Sequence, residues 1–318
     1  MKKLFLTVVT LLAAITSGMA CTNLIVGKAA SADGSVIVSY SADSYGMYGY
    51  LCHYPAAVHA EGTWREVYDW ETGRYTGRIP EAAQTYNVIG NINEHQVTIA
   101  ETTFGGREEL VNPEGIIDYG SLIYIALQRS KTAREAIDVM TSLVEEYGYY
   151  SSGESFTIAD PNEVWIMEMI GKGPEQKGAV WVAIRIPDDC ISAHANQARI
   201  RQFPLKDKEN CLYSKDVITF ARKKGYFNGK DKDFSFSEAY APADFGAKRY
   251  CEARVWSFFN KWGEGDMNVY LPYAMGEDVD PVTKEPLEGV AHEMPLWVKP
   301  KKLLSTQDVK DMMRDHYE

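Results

Sequence analysis

The chain has 318 residues, of which 45% are hydrophobic and 24% are charged. This is the composition of an ordinary globular protein, with enough length for one large domain or two smaller ones. Acidic residues outnumber basic ones by 44 to 33, which gives a formal net charge of −11. Since no basic cluster or stripe occurs along the chain, nucleic acid is excluded as an expected partner.

The first twenty residues have the three parts of a secretory signal peptide. Two lysines are followed by a short apolar run and then by small residues at the −3 and −1 positions of a cleavage site: Lys2, Lys3, residues 4–15, Gly18 and Ala20. The apolar run is too short to span a bilayer, and no later stretch reaches ~18 uninterrupted apolar residues. The sequence therefore predicts an exported bacterial protein, periplasmic or extracellular, without membrane contact after residues 1–20 are removed.

Cleavage after Ala20 makes Cys21 the first residue of a mature domain that spans residues 21–318. The first part of this domain predicts antiparallel sheet, because pairs of β-rich apolar runs are separated by short turn signals. Four such hairpins are expected: 22–27 with 35–41, 86–92 with 96–104, 155–159 with 164–170, and 180–186 with 190–195.

A helical block interrupts the predicted hairpins. We expect helices over about 116–128 and 133–147, each with an apolar stripe that suits packing on one face of a sheet. Thr132 and Glu135 have the spacing of a capping box, and Gly148 is a plausible end of the second helix.

The second half of the chain is less regular. Residues 212–224 and 248–262 predict helices, whereas 263–300 is rich in Gly, Pro, Asp and aromatic residues and predicts long loops. A last helix begins near Ser305 and meets no stop signal before residue 318. We therefore expect the chain to be truncated at its carboxyl terminus.

Export permits disulfides. Besides Cys21 there are four cysteines, which either form two bridges in one of three pairings or remain free thiols: Cys52, Cys190, Cys211 and Cys251. Their spacing does not decide between these readings. There is no CxxC spacing, and His292-Glu293 lacks the second histidine of a metalloprotease motif. The sequence predicts neither a metal nor an organic cofactor.

An amino-terminal cysteine carries a nucleophile and a base on one residue. Its thiol has an ordinary pKa of about 8.5 and its α-amine one of about 7.7–8.0, so the amine can act as general base at neutral pH. Cys21 also stands at the start of a predicted strand, where a substrate can reach it. Two other readings are lipid modification of Cys21 and an inert first residue. The lipoprotein reading fits poorly, since Gly18 occupies the −3 position where a lipobox has a leucine-like residue.

Three runs resemble signatures of the C69 family of bacterial dipeptidases: residues 21–35, 93–108 and 185–200. The closing run 314–318 also matches, and in the family more chain follows it. The resemblance implies an α+β fold, the αββα sandwich of two antiparallel sheets flanked by helices found in N-terminal-nucleophile hydrolases, a group that includes bile-salt hydrolases and penicillin V acylases.

The resemblance also implies catalytic roles around the nucleophile Cys21. Asp43 is similar to the acid that hydrogen-bonds the free amino terminus in relatives. Asn196 resembles the side-chain amide that helps to hold the oxyanion, and Arg254 resembles the arginine that lines the pocket beside the nucleophile.

Two positions depart from the pattern of the relatives. An arginine often stands shortly before the acid, where this chain has Tyr40 and two small residues, so the thiolate loses one candidate cation. Where acylase relatives have a second oxyanion asparagine, this chain has Thr103, or alternatively Glu101. A hydroxyl can donate the same hydrogen bond, and one oxyanion donor is worth about 2.7–4 kcal/mol.

The sequence thus predicts an exported cysteine dipeptidase that acts on small peptides without a cofactor, and it leaves homo-oligomerisation open. One alternative is an amidase of the same fold that cleaves N-acyl amino acids or conjugated bile salts. The other is a non-enzymatic lipoprotein acylated at Cys21.

Overall fold

The computed structural model describes residues 20–43, 49 and 51–316. The predicted signal peptide, apart from Ala20, lies outside the described residues. Within the described part of the chain, no helix is both long and apolar enough to cross a membrane.

Strands in the described residues form two principal antiparallel sheets and two small two-stranded ones. The strands are β1 (Ala20–Val26), β2 (Ile37–Asp43), β3 (His53–Tyr54), β4 (Ala57–Val58), β5 (Trp64–Tyr68), β6 (Tyr75–Pro80), β7 (Gln84–Thr85), β8 (Val88–Ile89), β9 (Ile92–Asn93), β10 (Thr98–Gly105), β11 (Gly153–Ala159), β12 (Val164–Gly171), β13 (Ala179–Arg185), β14 (Ile191–His194), β15 (Cys211–Tyr213) and β16 (Trp297–Val298). The smaller principal sheet has the order β16-β14-β1-β2, and the larger has the order β15-β13-β12-β11-β10-β9-β8-β3.

The α-helices of the same residues are α1 (Tyr119–Arg129), α2 (Ala133–Tyr147), α3 (Val217–Lys224), α4 (Phe236–Tyr240), α5 (Ala253–Trp262), α6 (Leu271–Met275) and α7 (Thr306–Met312). A π-helical segment, Ala247–Glu252, leads directly into α5. Short 3-10 helices cover Glu108–Leu110, Asp231–Asp233 and Met267–Tyr270. The expected mixture of helices with antiparallel sheets is confirmed.

The predicted helix pair forms with its expected caps. Thr132 Oγ1 accepts a hydrogen bond from the backbone N–H of Glu135, and the Glu135 carboxylate accepts one from the N–H of Lys131. Gly148 ends α2 with φ +82°, a conformation that glycine adopts without the steric cost of a Cβ. Local capping chemistry therefore fixes both ends of α2 as the sequence indicates.

The hairpin predicted over 180–195 does not form, and the one predicted over 86–104 is reduced to a single pair, Ile92 with Thr98. β13 and β14 follow each other in the chain, but β13 pairs with β12 and β15 in the larger sheet, whereas β14 pairs with β1 and β16 in the smaller one. The turn between them docks on the end of β1: Gly27 N donates to Cys190 O, and Ala29 N donates to Asp188 O. A Cβ at Gly27 would lie 2.4 Å from Asp188 O, so this approach requires glycine.

The apolar core has three parts. The first lies between the α1–α2 pair and the larger sheet, the second between the two principal sheets, and the third between the smaller sheet and helices α5, α6 and α7. Representative members, in that order, are Leu122, Ile137 and Phe156; Ile25, Ile166 and Val182; and Leu24, Phe258 and Val309.

Alternation along β1 places the predicted nucleophile. Ile25 belongs to the core between the sheets, while Leu24 and Val26 belong to the core on the helix side. Successive side chains of a strand point to opposite faces, so Cys21 and Asn23 share the face of Ile25. The first residues of β1 therefore direct their odd-numbered side chains toward the larger sheet.

His194 connects the two principal sheets. From β14 its ring nitrogens Nδ1 and Nε2 each lie 2.7 Å from a hydroxyl of the larger sheet, those of Thr102 in β10 and Thr157 in β11. The ring is fully buried. Burial, followed by the charge of Arg199, lowers the pKa of His194 to about 3.

This buried histidine predicts a loss of stability in acid. The unfolded state binds a proton with an ordinary pKa of about 6.5, but the folded state does not until about pH 3. The free energy of unfolding should therefore fall as the pH drops below about 6.5, by up to about 1.4 kcal/mol per pH unit for this one proton. Urea denaturation between pH 7 and 4 should show a shallower fall for His194→Gln. An exposed-histidine control, His53→Gln, should retain the wild-type slope; equal slopes in both variants would contradict the assignment.

Candidate active site

Cys21 lies near the start of β1, opposite Ala42 of β2 in the antiparallel register. Its backbone nitrogen donates a hydrogen bond of 2.7 Å to Asn196 Oδ1. The residue is 3% exposed. The structure thus joins two of the residues predicted to act together, Cys21 and Asn196, which are 175 positions apart in the chain.

Asn196 follows β14 and holds a left-handed conformation with φ +62°. Asparagine is among the few residues that adopt this conformation readily. Its Oδ1 accepts from Cys21 N and from Arg254 Nη2, and its Nδ2 donates to Thr103 O at 2.8 Å. An amide nitrogen carries two N–H groups, and the second is directed at the Cys21 thiol, where it favours the thiolate.

Arg254 stands in the first turn of α5, immediately after the π-helical segment. Its Nη1 donates to Cys21 O and, at 2.8 Å, to Thr22 Oγ1; its Nη2 donates to Ala195 O and Asn196 Oδ1, both at 2.9 Å. Because the guanidinium is planar and rigid, these bonds fix β1 against the segment that carries Asn196. π-helical turns occur frequently at functional sites, and here one sets the position of the arginine.

Asp43 is placed differently from the expectation. It ends β2 opposite Ala20, is exposed, and accepts a hydrogen bond of 2.9 Å from Ser41 Oγ. The nitrogen that Asp43 was expected to hold, Cys21 N, bonds to Asn196 instead. The backbone N–H of Asp43 hydrogen-bonds the Cys21 sulfur, which favours the thiolate form. Asp43 therefore borders the site with its main chain.

Thr103 also enters the site through its main chain. Its carbonyl accepts from Asn196 Nδ2, while its hydroxyl donates to Glu154 Oε1 at 2.7 Å. The hydroxyl that was expected to hold an oxyanion is therefore engaged with a carboxyl group. Glu101, the alternative residue, accepts a hydrogen bond of 2.6 Å at Oε1 from the Tyr40 hydroxyl.

A buried acid pair, Glu101 and Glu154, lies beside the nucleophile and was only half anticipated. Glu101 was considered from the sequence, but Glu154 was not; both are at most 2% exposed. Residue 154 is opposite Thr103 in the β10–β11 register, and Glu101 shares the face of Thr103 two positions away. The available signal was a glutamate within an otherwise buried strand, which is rare without a specific role.

Burial and these acids determine the protonation states. Burial, followed by the charges of Glu101 and Glu154, raises the pKa of the Cys21 thiol to about 12, although bonds from Asn196 and the Asp43 backbone act in the opposite direction. Burial raises the pKa of Glu101, and burial together with Glu101 raises that of Glu154 well above its usual range. The pair therefore retains a proton near neutral pH, and the thiol does not ionise unaided.

An open cleft of about 630 Å³ reaches this centre at Asn196. Its walls come from the end of β10 and from residues 241–251, and they include Phe104, Arg107, Gln197, Pro242 and Cys251. Arg107 Nε donates to Ala239 O at 2.7 Å, and the guanidinium carbon lies 3.9 Å from the centre of the Tyr226 ring. The cleft offers room for a small molecule beside the nucleophile.

Cys190, Cys211 and Cys251 are free thiols, so the two bridges that the sequence left open do not form. Over residues 20–43, 49 and 51–316, no group of three or more His, Cys, Asp or Glu side chains is arranged to hold a metal ion.

Comparison with known proteins gives a consistent result. The model of Peptidase family C69 matches residues 20–318. A probable dipeptidase of Salmonella dublin is 27% identical, covering 100% of this chain and 71% of its own length. A probable dipeptidase of Latilactobacillus sakei is 27% identical over 94% of this chain and 60% of its own length. A dipeptidase of Bifidobacterium longum (strain NCC 2705) is 25% identical over 94% of this chain and 59% of its own length.

The chain therefore spans about 60 to 70% of the length of these curated relatives. The family match extends over all but the first 19 residues, and it includes each residue of the centre built around Cys21 and Asn196. The family expected from the sequence is thus confirmed. The chain belongs to peptidase family C69.

Proposed function

We propose that this protein is a cysteine dipeptidase whose nucleophile is Cys21, freed as the amino-terminal residue when residues 1–20 are removed during export. The observation that carries the proposal is the 2.7 Å contact between Cys21 N and Asn196 Oδ1. After cleavage this nitrogen becomes an α-amine, and Asn196 would hold it beside the thiol of the same residue. The names of the relatives, dipeptidase and probable dipeptidase, support the substrate class.

The α-amine acts as the general base. Since burial and the nearby acids raise the pKa of the Cys21 thiol to about 12, a free thiolate is scarce at neutral pH. The amine accepts the thiol proton while sulfur forms a bond to the scissile carbonyl carbon, and the carbonyl π electrons move to oxygen. Such a transfer within one residue needs no histidine.

Asn196 Nδ2 donates its second N–H, which in the resting protein is directed at the Cys21 sulfur, to the oxyanion that forms next to that sulfur. The first N–H is fixed on Thr103 O, and Oδ1 is fixed by Cys21 N and Arg254, so the amide cannot rotate. A donor held in place in this way stabilises charge that develops in the transition state without reorganisation. Arg254 is a positioning residue in this scheme, because its contacts are with Asn196 and the main chain of the site.

Two half-reactions complete the cycle. The tetrahedral intermediate collapses, the C–N bond breaks, and the α-ammonium returns its proton to the leaving amine. Water then gives a proton to the α-amine and attacks the thioester, the C–S bond breaks, and the sulfur regains a proton. The products are two amino acids. No oxidant, reductant or added group is required for this balance.

We assign the fold to the N-terminal-nucleophile hydrolases, with residues 21–318 as one peptidase domain. Three features support this assignment: two antiparallel sheets with a core between them, helices on the outer face of each, and the nucleophile near the start of a strand. The proposed setting is the periplasm or the extracellular space, where small peptides are the substrates.

The state of the mature amino terminus tests the proposal. Intact mass spectrometry of the exported protein should give a chain that begins at a free Cys21, and this protein should hydrolyse a panel of dipeptides. A diacylglyceryl mass on Cys21 would support the lipoprotein alternative and contradict the enzyme. Faster hydrolysis of N-acyl amino acids or conjugated bile salts than of any dipeptide would support the amidase alternative.

A further inference from the structure

The acid pair Glu101–Glu154 has more acceptors than donors around it. Glu101 Oε1 accepts from the Tyr40 hydroxyl and Glu154 Oε1 accepts from the Thr103 hydroxyl. Glu101 Oε2, Glu154 Oε2 and Asn23 Oδ1 are buried and receive no hydrogen bond from the described residues. A proton shared between the two carboxyl groups joins them to each other, whereas Asn23 Oδ1 has no donor among the described residues.

The described side chains supply no ion-pair partner for Glu101 or Glu154. Among the described residues, neither Glu101 nor Glu154 forms an ion pair with a lysine, arginine or histidine. One shared proton can remove one of the two negative charges. The remaining charge is costly in a buried site unless a cation supplies compensation.

The pair adjoins the atoms that react. Asn23 Nδ2 donates to Glu101 O at 2.8 Å, and Asn23 lies two positions from Cys21 on the same face of β1. Tyr40, which donates to Glu101, is opposite Asn23 in β2. Thr103, which donates to Glu154, accepts through its carbonyl from Asn196. Thr103 therefore contacts both the acid pair and Asn196, and Asn23 and Tyr40 connect Glu101 to β1 and β2 beside the nucleophile.

Within the described residues, one edge of β10 lacks a strand neighbour along the segment that carries Glu101. β9 pairs with β10 only at Ile92 and Thr98, so within the described residues positions 101–105 of β10 lack a strand neighbour on that edge. Their carbonyls at 101 and 103 instead receive the side chains of Asn23 and Asn196.

We propose that Glu101 and Glu154, with Asn23 Oδ1, bind the α-ammonium group of the substrate's first residue. An ammonium has three N–H donors, no acceptor and a positive charge, which suits an acid pair that keeps one negative charge beside an amide oxygen without a donor. In a dipeptide this group is one carbon away from the scissile carbonyl, so only groups beside the nucleophile can bind it. The inference rests on the proposed dipeptidase function and adds the determinant that restricts it to free amino termini.

The same chemistry rejects N-acylated substrates. An acyl amide has no positive charge and would leave the acid pair uncompensated, and a site with buried polar groups discriminates strongly against an analogue that cannot pair with them. The α-amine of Cys21 does not supply this charge, because it acts as general base in its neutral form and one of its N–H groups bonds to Asn196 Oδ1. The negative charge of the acid pair is therefore available to the ammonium group of the substrate.

Kinetics on a matched substrate pair test the inference. For a dipeptide and its N-acetyl derivative, the wild-type protein should show a kcat/KM preference of at least about 100-fold for the free amine. Glu101→Gln should lower the ratio of kcat/KM for the dipeptide to kcat/KM for the acetylated peptide by about 100-fold, since it removes one partner of a buried charge pair. This ratio cancels the effect that the Glu101 charge has on the Cys21 thiol with either substrate. Glu154→Gln should act in the same direction. The exposed Glu175→Gln is the control for loss of an acidic charge and should match the wild type.

Binding without turnover separates this inference from the proposed function. Calorimetric titration of the dipeptide into Cys21→Ala protein should give a Kd lower by about 100-fold than titration of the N-acetyl derivative, and Cys21→Ala/Glu101→Gln should remove the difference. Binding with this preference but no hydrolysis by the wild type would overturn the dipeptidase proposal alone. Equal affinity for the two peptides, or an unchanged preference after Glu101→Gln and Glu154→Gln, would overturn the acid-pair assignment.

Discussion

Replacing Cys21 by serine or alanine will lower kcat for dipeptide hydrolysis by at least about 10⁴-fold, the scale seen when a nucleophile is removed from a unit that acts together. A hydroxyl gives up its proton much less readily than a thiol, and alanine has no atom that could attack. The fold should persist, because the bonds from Cys21 N to Asn196 and from Arg254 to Cys21 O involve the main chain.

Cys190→Ala is the matched control for this experiment. Cys190 is also buried, and burial likewise raises the pKa of its thiol to about 12. It is not an amino-terminal residue of the proposed mature chain, and its thiol donates to Asp189 Oδ1. Circular dichroism and thermal melting should show folded protein for each variant. Dipeptide turnover by folded Cys21→Ala within tenfold of the wild type would refute the assigned nucleophile.

Local patterns in the sequence predicted much of the scaffold. The cap at Thr132 and the end of α2 at Gly148 depend on residues within one or two turns, so the sequence contains their cause. The β1–β2 and β11–β12 hairpins follow from turn signals of similarly short range. The position of Cys21 at the start of a strand was predicted in the same way.

The parts that were missed depend on contacts between distant segments. The turn at 187–189 indicates a reversal of the chain but not which sheet the next strand joins, and that choice is made by the docking of the turn on Gly27. Glu154 becomes part of the site only because the β10–β11 register sets it opposite Thr103. Asp43 was assigned by resemblance, and its side chain faces solvent because the strand ends there.

Asn196 is the second residue for which a large effect is expected, and glycine is the informative replacement. Its φ of +62° would strain alanine, whereas glycine accepts this conformation, so Asn196→Gly removes the amide without disturbing the main chain. We expect kcat on dipeptides to fall by about 10²–10³-fold, the loss associated with one oxyanion donor. The exposed Asn162→Gly provides a control for the added flexibility of glycine.

Asn196→Asp distinguishes the two functions of the amide. It retains an oxygen that can accept from the Cys21 amine and from Arg254, but it loses the Nδ2 donor and introduces a negative charge beside the developing oxyanion. If donation by Nδ2 is essential, Asn196→Asp should be at least as impaired as Asn196→Gly. Recovery of most of the wild-type kcat in Asn196→Asp would instead mean that Asn196 serves the amine of Cys21, and that the oxyanion is held by main-chain N–H groups.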